Sequence, residues 1–209
     1  MYAQHATAIQ RYAQQSPECL EHVIQFVAFT IHTQFDVAAE QVRDMRNGEP
    51  DVRYANNVKA TGYTINWIED NRESVWMTLE TLYNAAYPDE DTADLMLSYL
   101  ATNIPGLGLV KAGFALQLTY GMSGCLDTHN LNRFDLKVWA GRSRNFKFLK
   151  TGKARYNRVR QYNQACDDCG GTAALWDTWC DYVAKRWPMR YANGFEVSAL
   201  HCEALGIDA

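Results

Sequence analysis

No stretch of this chain alternates apolar and polar residues at a period of two convincingly enough to read as a strand. Several stretches instead carry apolar residues three and four apart over ten positions or more. A half-buried strand needs the first pattern and an amphipathic helix the second. The contrast limits the chain to helices packed on helices, an all-α fold. The 209 residues suit a single domain spanning 1–209, with room for a division into two lobes, and 47% apolar content is enough to bury a core.

The helices can be placed from their signals. Residues 2–15 hold helix formers without Pro or Gly. Ser16-Pro17-Glu18 reads as a helix start, with Ser16 as N-cap and Pro17 in the first turn. The run 17–46, with Leu20, Val23, Ile24, Val27 and Ile31 at helical spacing, reads as one core helix, bent if anywhere, stopped by Asn47-Gly48-Glu49-Pro50. Residues 51–66 are ambiguous, and Ala60-Thr61-Gly62-Tyr63 is expected to break any helix there. Helices are expected again over 67–86 and 92–103, separated by a loop and cap at 87–92, then over 109–118. A short helix begins within 132–148, and longer ones follow at 153–165, 172–187 and 195–205, with Cys166-Asp167-Asp168-Cys169-Gly170-Gly171 as a loop. The three Trp of 172–187, namely Trp176, Trp179 and Trp187, fit a core stripe better than a stacking platform.

The hairpin between two of these helices, in the segment 92–120, is the chemically suggestive stretch. Pro105-Gly106-Leu107-Gly108 is a tight corner ahead of an apolar helix. The first N–H groups of that helix have no partner within it, and its dipole is positive there, so the corner suits a phosphate. Gly106 and Gly108 can take positive φ and admit a close backbone. Leu126-Asp127-Thr128-His129 follows nineteen residues after Gly108, in a setting where Asp127 also reads as a helix N-cap.

Together these residues resemble the helix-hairpin-helix DNA glycosylase superfamily. Ile104-Pro105-Gly106-Leu107-Gly108 matches its hairpin, and Leu126-Asp127-Thr128-His129 matches its acidic segment; the likeness covers about 27 of 209 residues. It implies a two-lobed helical glycosylase-like fold that binds double-stranded DNA as a monomer and flips a base into a cleft. Asp127 is the implied catalytic carboxylate, stabilising a sugar with oxocarbenium character and orienting a water. Pro105, Gly106, Leu107, Gly108, Lys111 and His129 are the implied DNA contacts around the motif. Family members often hold a monovalent cation on hairpin carbonyls and otherwise need no cofactor.

Two departures shape the expectation. Members that also cut the strand carry a nucleophilic Lys two residues after the second hairpin Gly. Here Val110 occupies that slot, and Lys111, about 100° further round the helix, is expected to face elsewhere. A Schiff-base lyase is therefore not expected. Cys166, Cys169, Cys180 and Cys202 lack the spacing of the family's iron–sulfur cluster, so neither a cluster nor another metal is expected. The resemblance implies a monofunctional DNA N-glycosylase. It also admits phage enzymes of similar type, which attach an amino acid or amine to a pyrophosphorylated 5-hydroxymethyl-pyrimidine in DNA, and a DNA-binding module without activity.

Charge points the same way. The net charge is −4, yet 133–160 holds ten Lys and Arg against Asp135 alone, while the other 181 residues hold ten basic and 23 acidic side chains. A basic segment on an acidic chain suits a polyanion. Arg133, Arg142, Arg144, Lys153, Arg155 and Arg158 are the expected backbone contacts. No run is long and apolar enough for a membrane span, no basic-then-apolar leader opens the chain, and the dispersed cysteines suit a reducing compartment. A cytoplasmic setting is expected, in a bacterial or phage-infected cell.

Overall fold

In a computed structural model, residues 2–30, 35–48, 59–85 and 92–208 are described, with only the backbone described at 59–61. The described residues form eleven α-helices and a 3-10 turn, with no strand among them; the protein is all-α. In order these are α1 (Ala3–Ala13), α2 (Pro17–Phe29), α3 (Phe35–Arg46), α4 (Lys59–Asn84), α5 (Thr92–Asn103), α6 (Leu109–Tyr120), α7 (Thr128–Arg133) and α8 (Val138–Arg144). The 3-10 turn Phe146–Phe148 follows, then α9 (Gly152–Asp168), α10 (Gly171–Arg186) and α11 (Gly194–Ala204). None of these helices is long and apolar enough to cross a membrane.

α2 starts where its sequence signal lies: Ser16 Oγ accepts from Cys19 N at 3.2 Å, with Pro17 in the first turn. Three expectations change. The run 17–46 is two helices, α2 and α3. α4 runs unbroken through Gly62, because one Gly costs a helix only about 1 kcal/mol and Ile65, Ile68, Val75 and Leu79 bury a full stripe behind it. α9 continues through Cys166, Asp167 and Asp168, so the turn is only Cys169 and Gly170, because Val159, Tyr162 and Cys166 are all buried on its inner face. The expected loop at 87–91, the stop residues Glu49 and Pro50, and 51–58 lie outside the described residues.

α6 is the axis of the packing. Leu109 and every residue from Ala112 to Tyr120 are buried, the mark of a helix surrounded on all sides. It packs against α1, α2 and α5. An aromatic cluster lies beside it: Trp176 and Trp179 stack at 5.5 Å, and Phe114 lies 5.3 Å from Trp179. Both tryptophans are buried and so are core.

His201 is sealed into the same cluster, its ring centroid 3.7 Å from Phe26 and 5.3 Å from Trp176, and neither ring nitrogen has a hydrogen-bond partner among the described residues. Burial holds its pKa down at about 3, against an ordinary 6.5. Below pH 6.5 the unfolded chain therefore binds a proton that the folded chain refuses, so this contribution to stability falls as pH falls toward 3. From this group alone, unfolding at pH 5 should be about 2 kcal/mol easier than at pH 8. His22, also lowered by burial, to about 4, acts in the same direction. Denaturant melts at the two pH values should show a smaller difference for His201→Leu than for the wild type; equal differences would contradict the assignment.

Candidate functional site

The corner 104–108 turns between α5 and α6. Ile104 and Leu107 are fully buried and pin it to the core, so Leu107 can offer an incoming strand only its backbone. Gly106 is the residue that needs glycine, at φ 83°; Gly108 lies at φ −105°, ψ −177°, an ordinary extended N-cap. A Cβ on Gly108 would meet nothing within 4 Å, so the space above the start of α6 is open. No side chain caps α6, and no acceptor among the described residues meets the N–H groups of Leu109, Val110 and Lys111. Of the corner carbonyls, Ile104 accepts from Leu107 N at 3.3 Å and Pro105 from Thr64 Oγ1 at 2.7 Å. Gly106 and Leu107 retain carbonyls without hydrogen bonds among the described residues, and these two would hold a monovalent cation.

Asp127 is the N-cap of α7: its Oδ1 accepts from His129 N and Asn130 N, both at 3.0 Å. Oδ2 accepts no hydrogen bond among the described residues, so capping uses half of the carboxylate and leaves the other half available.

The segment leading to Asp127 is clamped from three sides. The Tyr162 hydroxyl donates to Gly124 O at 2.9 Å and accepts from Leu126 N at 3.0 Å. Asn130 Nδ2 donates to Cys125 O at 2.7 Å, and Gln117 Oε1 accepts from Cys125 N at 3.0 Å. Two glycines allow the approach: a Cβ on Gly113 would lie 2.4 Å from Gly124 O, and one on Gly124 would lie 2.3 Å from Leu175 Cδ1. Buried polar atoms are almost always paired, and here the pairing fixes the backbone that presents Asp127.

Asp127 and the first turn of α6 line one cavity of about 260 Å³, with Thr128, Leu131 and, from α8, Trp139, Ala140, Ser143 and Arg144. Of these α8 residues only Arg144 is among the expected contacts; Trp139, Ala140 and Ser143 are not, and their trace in the sequence is the spacing of Trp139 with Ser143 and of Ala140 with Arg144. Gly108, Leu109, Val110 and Lys111 all reach this cavity. Lys111 thus lines the same cavity as Asp127, while its amine turns to α2. The cavity sits at the end of the helix rather than along its side, so rotation about the axis does not exclude a first-turn residue. Lys111 Nζ donates to Thr30 Oγ1 at 2.9 Å and lies 5.5 Å from the centre of the Phe114 ring. That inward tether holds the amine against α2. Burial pushes its pKa down, with Cys125 and Asp127 opposing the shift.

Comparison with protein-family models, characterised proteins and solved structures finds no match. The chemistry of the site is therefore read from its own residues.

The remaining candidates divide into three groups. Arg144 is exposed and joins the cavity. Arg142 is exposed 5.5 Å from the Trp139 ring centre, and Lys153 is exposed at the start of α9. Arg155 Nε donates to Leu149 O at 3.0 Å and Arg158 Nη1 to Arg142 O at 2.8 Å, so these two brace the segment 142–149. Arg160 is not unopposed: Asp94 of α5 lies 3.6 Å from it. His129 and Arg133 point to a different depression, shared with Thr178, Asp181, Tyr182 and Lys185. The His129 ring stacks on Tyr182 at 3.3 Å, and burial lowers its pKa. All six cysteines are free thiols, and among the described residues no group of three or more His, Cys, Asp or Glu converges to hold a metal.

Proposed function

We propose that this protein binds double-stranded DNA in the manner of the helix-hairpin-helix glycosylases and acts on an extruded base as a monofunctional DNA N-glycosylase. One observation carries the reading: Asp127 and the bare N–H groups opening α6 share a single cavity. The N–H groups receive a backbone phosphate, which sets register without reading sequence. The extruded nucleotide enters the cavity. Asp127 then offers its uncommitted oxygen to the sugar as the glycosidic bond lengthens, stabilising positive charge and orienting water. Val110 stands where a strand-cutting member has its lysine.

The test is incubation with duplex oligonucleotides, each carrying one damaged or modified base, followed by alkali to break abasic sites. Strand breaks above background support the reading; none with any substrate in a broad panel sinks it. Binding should weaken steeply with salt, since phosphate contacts release counterions.

A second reading is favoured by the sign of the cavity wall. Lys111, Arg144 and the uncapped first turn of α6 line the cavity together with one carboxylate. Such a wall suits an anionic leaving group, as in transfer of an amino acid or amine onto a pyrophosphorylated 5-hydroxymethyl-pyrimidine with loss of pyrophosphate. Glycine and DNA carrying pyrophosphorylated 5-hydroxymethyluracil should then give a product of increased mass. Binding with neither activity would leave a DNA-binding module.

Gly108→Val separates binding from folding. Its φ suits any L-residue and a new Cβ meets nothing, so the cost to stability should be only that of a poorer N-cap, about 1 kcal/mol. The branched side chain should nonetheless obstruct the phosphate seat and weaken duplex binding about tenfold or more, a loss of about 1.4 kcal/mol. Fluorescence anisotropy with labelled duplex checks this; unchanged affinity would remove the corner from the interface.

A further inference from the structure

Lys111 has surroundings that fit neither an outer phosphate contact nor a structural ion pair. Its amine is held by Thr30 Oγ1, a hydroxyl that gives its own proton to Val27 O at 2.7 Å, so the acceptor is neutral. Among the described residues no carboxylate lies within ion-pair distance of it; the residue lines the same cavity as Asp127, whose charge acts on the amine from beyond that distance. The groups around it are Thr30 from α2, Phe114 on its own helix, and Cys125 and Asp127 from the preceding loop and the α7 cap; Arg144 of α8 lines the same cavity.

We propose that Lys111 is the proton donor to the departing base, working opposite Asp127 across the cavity. This rests on the glycosylase reading. When the bond between C1′ and the base nitrogen breaks, its electron pair leaves with the base, which would depart as an anion. The Lys111 ammonium gives that base a proton and becomes a neutral amine. Water forms the new C–O bond at C1′ and loses its proton to the Asp127 carboxylate. Solvent then returns a proton to Lys111 and removes one from Asp127, so no oxidant or other reactant is needed. Burial disfavours the charged ammonium, which makes it a readier acid than a surface lysine. A lysine used this way adds no covalent bond to the sugar, which agrees with Val110 in the nucleophile's slot.

The experiment uses the full chain as wild type, Lys111→Gln and Asp127→Asn, on duplexes holding a single uracil, 5-hydroxymethyluracil or 5-fluorouracil, with base release followed from pH 6 to 10. Fluorine makes the base a better leaving group, less in need of a proton. Lys111→Gln should slow release of the first two bases by about 10²-fold or more but of 5-fluorouracil by less than about tenfold. The wild-type rate should fall as pH rises through the ionisation of Lys111, and that limb should vanish in the variant. Asp127→Asn should slow all three alike. Equal slowing of all bases by Lys111→Gln, or retention of the alkaline limb, would overturn the proton-donor role and leave the glycosylase reading intact. Release of none of the three bases by the wild type would overturn this assignment; release of no base across the broader panel would overturn the parent reading too. A measurement on free protein stands apart from substrate and from folding of the variant. After reductive ¹³C-methylation, the Lys111 resonance should titrate below those of the surface lysines. Titration together with them would overturn the proposal.

Discussion

Asp127→Asn is expected to give a folded protein that binds duplex DNA and releases bases about 10²–10³-fold more slowly. Asn caps a helix about as well as Asp. Its amide oxygen can keep the bonds from His129 N and Asn130 N, so unfolding free energy should change by no more than about 0.5 kcal/mol. What disappears is the negative charge facing the cavity, and an amide cannot stabilise an oxocarbenium-like sugar as a carboxylate does. The comparison is made on kcat under single turnover, with a thermal melt and an anisotropy titration beside it. A fall in activity matched by loss of fold or affinity would reduce Asp127 to a cap. Unchanged release, with fold and binding intact, would remove the carboxylate from the mechanism altogether.

Gly113→Ala should destabilise the protein by about 2–3 kcal/mol, the scale of an overpacked core. Helix propensity alone predicts the opposite, a gain of about 1 kcal/mol for Gly to Ala inside α6. The sign is settled by the new Cβ, which would sit 2.4 Å from Gly124 O and 3.0 Å from Tyr162 Cε1. Backbone cannot swing aside as a side-chain tip can. Either α6 moves or the segment from Ser123 to Asp127 does, and the Tyr162 bonds to Gly124 and Leu126 are strained in both cases. At 209 residues the melting temperature should fall by roughly 4–12 °C. Base release should fall by more than the loss of folded protein explains, because the displaced segment carries Asp127. A variant as stable as the wild type would show that the helix and the loop are not in firm contact.

Asp127, the corner 104–108 and the all-helical class were legible because each is written locally. A cap needs one acidic residue before a helix, a corner needs Pro and Gly at fixed offsets, and a helix announces itself by spacing. Gly62 misled for the same reason: a local breaker signal was outweighed by the burial of Ile65, Ile68, Val75 and Leu79 further along α4. Lys111 misled in another way. The residue belongs to the first turn that the cavity collects at the end of α6, while its amine turns inward to Thr30, and neither relation is written in the local sequence.

The sequence by itself determined the helices, the turn that exposes the start of α6 and the residue type that caps α7, since these follow from chain stereochemistry within a few residues. Only the tertiary structure decided that Asp127, Lys111 and Arg144 share one cavity, that Arg155 and Arg158 brace a loop, and that His129 turns away to stack on Tyr182. Those facts depend on how close α6 comes to α8 and to the segment before Asp127, and how that segment meets α9 and α10. That closeness is set by residues such as Gly113, Gly124, Tyr162 and Leu175 meeting in the packed interior.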